Sequence, residues 1–489
     1  MTMSKKECSF IAIGCIVITI VLIGLMSISI FYNKNDNDIL SDGATLAIYV
    51  DNNEVASLND VPSGYVIDTT QSYCYKTDRN TPDTGAILQS SVSGEPIMGN
   101  VVKNEKCMLY FKPSLASWLI NSAPKSGTDS ISNSPWILTS DHTNEWRYAG
   151  KNPDNYIQFN GELWRIIGVM PNTTYCTGVH GAATECNTTA TGSLVKIIRN
   201  ASLGNYILDY KQTGVGTSTS AYGSNDWSDS QLMYMLNGYY YYKTAYDTTA
   251  AKLHSSYAYG LQGQLFDANG IRIFDPSSNY ITATNGTTIV IPSSVTTAND
   301  YSTTTGTVPK KIESSALNKI ATVKWNLRGT NSYTTPSDFY SLESSTGAVY
   351  TNASLPENRA VYWYGKIGLM YPSDYGYATS GGTTYNRASC LGSQMSGWNA
   401  GDYKTDCALK SWMLFQNITS TAPGTAGANY YTITPLSNNA YRVFRVSSDG
   451  ALTYRNVYSS LGVRPTLYLK AGTAIIGGSG KWNDPYTIA

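Results

Sequence analysis

The sequence predicts an α+β fold, built on antiparallel strands with few helices and carried behind an N-terminal membrane anchor. Three observations predict it. Short apolar runs are separated by turn signals such as Asn160-Gly161 and Asp449-Gly450, the pattern of hairpin strands. Helical spacing of apolar residues is confined to two stretches, near Ser228 and from Ser314 to Arg328. Finally, an uncharged run of about two dozen residues, Ser9 to Tyr32, stands near the N-terminus, where roughly 20 apolar residues suffice to span a bilayer.

The anchor sets the orientation. Lys5 and Lys6 precede the run, and Asp36 and Asp38 follow it, so the N-terminal end stays in the cytoplasm and the rest is exported. A cleaved signal peptide would carry an apolar core of roughly 7–15 residues ending at small side chains. Here the run is longer, and Ser27-Ile28-Ser29 is a poor cleavage site. Too few apolar residues precede Cys15 for Ala12-Ile13-Gly14-Cys15 to act as a lipoprotein signal. Residues 1–8 are therefore expected as a cytoplasmic tail, 9–32 as a transmembrane signal-anchor and 33–44 as a polar stalk. The expected location is the cell membrane, crossed once, with the bulk of the chain outside.

Two of the eight cysteines, Cys8 and Cys15, lie in or beside the anchor. The other six form an even set in an exported region, which suggests disulfides. Six cysteines allow fifteen pairings, but each of three couples falls within one local segment: Cys74–Cys107, Cys176–Cys186 and Cys390–Cys407. A zinc site is the rival reading. The sequence has no C-x-x-C, and His142, His180 and His254 are scattered, so no metal is expected.

Residues 45–112 read as a small disulfide-stapled β module: strand Leu46 to Val50, turn Asp51-Asn52-Asn53 and closing strand Cys107 to Phe111. Residues 113–145 are Ser/Pro-rich and read as a linker. The large domain spans 146–473. It opens on Tyr156 to Phe159, Asn160-Gly161 and Glu162 to Val169, a hairpin with a type I′ turn. Leu194 to Arg199 is a further strand. A capping box, Ser228-Asp229-Ser230-Gln231, starts a first helix that continues through Leu232, Met235 and Leu236. Leu317, Ile320, Val323 and Leu327 place a second helix at about Ser314 to Arg328, stopped by Gly329. Trp363 to Tyr377, Tyr431 to Pro435, Tyr441 to Val446, Ala451 to Val457 and Val463 to Leu469 read as strands and turns, and 474–489 as a C-terminal tail.

Composition narrows the function. Charged residues make up 14% of the chain and the formal net charge is zero, with no Lys/Arg cluster, so nucleic acid is excluded as a partner. Tyrosine numbers 39 against 9 phenylalanines, among abundant Ser, Thr, Gly and Asn. That mixture serves paratope-like recognition, and equally it keeps a low-charge exported protein soluble. No G-x-S-x-G, H-E-x-x-H or S-x-x-K constellation occurs in strand–turn context. Neither a catalytic residue nor a cofactor is expected.

Four segments in order, FNGELWRIIGV, SNDWSDSQLMYMLN, GKIGLMYPSDYGYAT and SLGVRPTLYLK, resemble a family of surface proteins of Gram-positive gut bacteria built on a domain of unknown function. The resemblance covers roughly Trp146 to Lys470. Pro435, Ser437, Val443, Val446, Gly450 and Gly462 to Pro465 are also similar to the closing pattern of bacterial C-type-lectin-like domains, which include the sulfatase-modifying group. This resemblance implies a C-type-lectin-like domain, with its ligand surface on the last hairpin and the loops before it. The expected function is a surface-displayed binding or adhesion protein whose partner is a host or bacterial glycan or protein. The alternatives are a structural or pilin-like surface module and a sulfatase-modifying-like enzyme, which would need Cys390 and Cys407 free.

Tyr and Arg are enriched at binding hot spots. The hairpin therefore supplies the candidate ligand residues Tyr441, Arg445, Ser447, Ser448, Tyr454, Arg455, Asn456 and Tyr458. Asp374 and Tyr375 join them from a Pro/Gly turn, where an aspartate also commonly caps its own backbone. Tyr239 to Tyr242 is a further candidate surface. Arg464 is read as a buried tie to backbone carbonyls or as an anion clamp.

Overall fold

The computed structural model describes residues 44–489 except 92, 130, 132, 143–144, 179–185, 207, 210–223, 235, 238–281, 285–287, 291–311, 346–360, 417–424, 427–428 and 460. The expected anchor and the tyrosine run Tyr239 to Tyr242 lie outside the described residues. Among the described residues no helix is long and apolar enough to cross a membrane. They form two compact units, one of residues up to Ser91 with Glu95–Pro113, the other Ser114–Ile488.

In the smaller unit the strand Thr45–Val50 pairs in parallel with Lys106–Pro113, Ile48 lying beside Leu109. Asp51 and Asn52 take positive φ (49° and 68°), a conformation that Asp and Asn tolerate best after glycine. They return the chain into Asn53–Val55. Cys74 stands directly opposite Cys107 across two paired strands and is bridged to it. Ile48, Ile67, Leu109 and Phe111 are its buried core.

The larger unit is α+β, mostly antiparallel sheet. Its main sheet has ten strands, ordered Ile367–Gly368, Thr466–Leu469, Thr189–Arg199, Glu162–Cys176, Glu145–Gly150, Pro135–His142 and Ser126–Thr128, with three more alongside. The Tyr156–Phe159 strand turns through Asn160 (φ 56°) and Gly161 (φ 66°) into Glu162–Cys176, as its Asn-Gly signal predicts. A second sheet of five strands includes Tyr430–Pro435, Arg442–Val446 and Leu452–Asn456. Cys176–Cys186 and Cys390–Cys407 are bridged.

Four sequence expectations change. Residues 113–145 are no linker: helix Leu115–Asn121 and the strands Ser126–Thr128 and Pro135–His142 lie there, and Trp136 and Leu138 are buried. Residues 474–489 are no free tail, because Ile475–Gly477 pairs with Thr487–Ile488 and Tyr486 exchanges backbone bonds with Tyr156 and Gln158. The expected helix Ser314 to Arg328 ends at Leu317, and Val323–Asn326 is a strand. There Val323, Trp325 and Leu327 are buried while Lys324 is exposed, so alternation at period two outcompetes helical spacing. Finally, the Ser228 capping box gives way to a 3-10 turn, Trp227–Asp229, capped by Asp226, and Ser230 Oγ accepts from Met233 N at 3.2 Å at the start of the next helix.

Much of the tyrosine is core. Tyr148, Tyr156, Tyr375 and Tyr430 are among those fully buried, and Tyr375 satisfies its hydroxyl on the Gly450 carbonyl at 2.6 Å. A tyrosine buried in this way behaves as a phenylalanine with one fixed polar end.

One glycine is required by close approach. A Cβ on Gly168 would stand 2.0 Å from the Trp146 carbonyl oxygen of the neighbouring strand. Gly168→Ala in the full chain should cost about 1–3 kcal/mol, the usual penalty for overfilling an interior; an unchanged urea midpoint would show that the strands do not meet this closely.

Candidate functional site

The site grows from one row of the main sheet. Arg147 pairs with Gly168, Gly168 with Lys196, and Lys196 with Tyr468. Directly paired residues share a face, so two cations flank a position that carries no side chain. Opposite the row stands helix Pro372–Tyr377, opened by proline at its first turn. Its third residue, Asp374, accepts from the Tyr371 backbone N–H at 2.8 Å. The same carboxylate takes Arg147 Nη1 at 2.7 Å on one oxygen and Lys196 Nζ at 2.5 Å on the other. Glu145, two residues along the strand from Arg147, bonds its Nε.

Glu145, Arg147, Lys196 and Asp374 are each at most 4% exposed. Isolated charges would be prohibitively costly there, and only dense pairing makes such burial tolerable. Burial opposes the charge on Asp374, yet Lys196 and Arg147 outweigh it and hold its pKa below the usual carboxylate range. Arg147 likewise stays firmly charged against its own burial, through Glu145 and Asp374. For Lys196 burial prevails and draws the amine pKa down, with Asp374 offsetting part of it. The rings of Tyr371, Tyr468 and Trp325 surround this amine at 4.3, 5.4 and 5.6 Å, which adds cation–π attraction.

Glu145, Arg147 and Lys196 floor a cavity of about 580 Å³ whose walls include Tyr340 and Glu343, Lys324, Asn326 and Arg328, and Tyr362. Tyr340 and Glu343 come from helix Pro336–Ser344, which a Thr335/Asp338 capping box starts. Tyr340 is stacked on His142 at 3.7 Å, and the His142 ring meets the Tyr377 hydroxyl at 3.1 Å. Glu343 accepts from the Ser373 hydroxyl. Burial pushes its pKa up to about 8; the Ser373 bond opposes that rise and the Asp374 charge adds to it. No group of His, Cys, Asp and Glu among the described residues could hold a metal ion.

The sequence-selected residues fall in two places. Asp374 pairs with Arg147 and Lys196 but is 1% exposed and outside the cavity lining, and Tyr375 is fully buried. The hairpin Arg442–Val446 and Leu452–Asn456 stands apart from the cavity lining, and it is not polar on one outer face. Arg445 and Ser447 are buried. Arg445 bonds Asn429 and Thr453. Tyr454 stacks on Tyr333 at 5.5 Å, Tyr441 packs on the core, and Asn456 bonds Arg442 and Tyr458. Ser448 and Arg455 are exposed. Strand alternation misleads here because both faces of Arg442–Val446 are covered. Arg464 is the structural tie expected of it, donating to the Arg199 and Met413 carbonyls at 2.9 and 3.2 Å.

Sequence reasoning passed over Arg147, Lys196, Glu145, Glu343 and Arg328. One signal was present: Lys196 sits inside the apolar run Leu194 to Ile198, and a lysine fully buried in a strand requires a partner.

Comparison of the chain with protein-family models, curated proteins and solved structures returned no match.

Glu343 binds its proton more tightly in the folded chain than at its ordinary value of 4.5. Between about pH 4.5 and 8 the unfolded state therefore holds fewer protons at this group, and its contribution to stability falls as pH rises. Thermal melts of the wild type and Glu343→Gln should diverge over that window, the variant losing less stability toward pH 8. Parallel curves would mean that Glu343 titrates as an ordinary carboxylate.

Proposed function

We propose that this chain is a membrane-anchored, surface-displayed binding protein and that its larger unit takes up a small polar ligand in the charged cavity. One observation carries the reading: a concave site of about 580 Å³ is floored by three buried charged side chains, Glu145, Arg147 and Lys196, with the paired Asp374 behind them. Ligand sites in proteins are concave, of this size, and built from aromatic walls with a few placed polar groups. Buried ion clusters are a weak source of stability, and they concentrate at functional sites. Tyr340, Tyr362, Tyr371 and Tyr468 provide the aromatic wall, and Asn326 and Thr174 provide neutral polar edges.

The uncharged run Ser9 to Tyr32 and the three disulfides support display outside the cytoplasm. For the fold of the larger unit we propose a C-type-lectin-like domain; antiparallel sheets, few helices and the resemblance of the closing strands support it. In that case the ligand lies against the main sheet rather than on the terminal hairpin. The Cys390–Cys407 bridge removes the free thiols that would favour a sulfatase-modifying chemistry.

The test is a glycan and peptide array probed with the full chain in detergent. A cavity-bound hit should weaken about tenfold in Tyr362→Ala, the usual effect of truncating an aromatic contact, and should survive Arg455→Ala on the exposed hairpin. The opposite pattern would move the site to the hairpin. Silence across the array from a folded chain would contradict a binding role.

A further inference from the structure

The charges lining the cavity do not balance. On its floor, Arg147 is matched by Glu145 and Asp374, and Lys196 by Asp374. The remaining acid, Glu343, accepts from the Ser373 hydroxyl, and burial pushes its pKa up to about 8. Two cations of the wall are left. Lys324 is exposed and lies 4.2 Å from the centre of the Tyr362 ring, with no carboxylate partner among the described residues. Arg328, only 7% exposed, uses Nη1 on the Ser345 hydroxyl, and its buried Nε has no hydrogen-bond partner among the described residues.

The local chain explains why Arg328 is held there. It follows the strand Val323–Asn326, and its own N–H donates to the Asn326 side chain at 2.8 Å. Asn326 in turn donates to the carbonyls of Leu342 and Ser345 at the end of helix Pro336–Ser344. The guanidinium is thereby fixed at the cavity wall, with Nη1 on Ser345 and a buried Nε that has no partner among the described residues. A buried donor without an acceptor costs about 1–3 kcal/mol, and a guanidinium that lines a cavity attracts a carboxylate through charge-assisted hydrogen bonds.

We infer that the ligand of this cavity is an acidic saccharide, its carboxylate seated against Arg328 and Lys324 and its ring against the tyrosine wall. This rests on the cavity being the binding site. The unmatched positive charge selects the acid, and four tyrosine rings beside Asn326 and Thr174 suit a hydroxylated ring. A purely apolar or cationic ligand would leave the charges of Arg328 and Lys324 without a counter-charge. An acidic peptide offers the same carboxylate but has little use for a wall of aromatic rings and neutral hydrogen-bonding groups.

Calorimetry on the full chain with glucuronate, galacturonate and N-acetylneuraminate, each beside glucose, galactose and N-acetylglucosamine, tests it. At least one acid should bind about tenfold or more tighter than the neutral sugars, the size of one charged hydrogen bond. Added salt should weaken it, and Arg328→Gln should bring it down to the neutral level. The melting temperature checks that Arg328→Gln folds. Lys324→Gln, at an exposed position, should lower the acid's affinity alone without touching the core. Equal binding of acidic and neutral sugars, or no response to either variant, overturns the acidic assignment and leaves the cavity as the site. Binding of aspartate- or glutamate-rich peptides but no sugar would overturn the saccharide. No binding by any of these probes would overturn the inference, and a loss of array hits in Tyr362→Ala would then still uphold the cavity reading.

Discussion

Asp374 accepts Arg147 on one oxygen and Lys196 on the other, and the larger unit is arranged around keeping that carboxylate charged and away from water. The two cations come from strands that are not neighbours; Glu162–Cys176 runs between them and presents Gly168. A side chain at that position would divide the cations and crowd the strand pairing. The helix that carries Asp374 needs its own start fixed, which Pro372 and the Tyr371 N–H bond provide. Each partner thus constrains a different element, and the carboxylate ties strand to strand to helix.

Such a cluster is a poor way to gain stability, because desolvating each ion costs several kcal/mol before pairing returns it. Its value lies in position. Glu145, Arg147 and Lys196 are held at the floor of a cavity with Asp374 behind them, framed by aromatic rings that favour a cation, and burial raises the pKa of Glu343 at the wall. The floor is internally balanced, so the field felt inside the cavity is set by the wall, by Arg328 and Lys324. On the proposed binding role, fixed structure and ligand selection are therefore divided between two sets of charges.

The local parts of this arrangement were legible in the sequence. The Asn160-Gly161 turn announces its hairpin because only a few residues accept two consecutive positive φ angles, and the three disulfides follow from cysteines that are close along the chain. The structural role of Arg464 was readable too. What the sequence hides are pairings across distance. Lys196 and Asp374 are 178 positions apart, and no local pattern reports that they meet. The apolar residues of Val323–Asn326 fit two periodicities at once, and pairing with Tyr362–Gly365 decides between them. The stretch read as a linker and the stretch read as a tail are polar on average, but single buried residues such as Trp136 and Tyr486 dock them to the core. The hairpin shows the same limit: alternation alone does not reveal that Arg445 is covered, while Ser448 and Arg455 are exposed.

The most direct test of this account is a double-mutant cycle on Lys196→Met and Asp374→Leu, read by urea denaturation of the full chain. Each single change strands a buried charge and should cost about 3–5 kcal/mol. Removing both should cost less than the sum by about 2 kcal/mol or more, the coupling expected of residues in one network. Additive losses would contradict the claim that this ion pair organises the cavity.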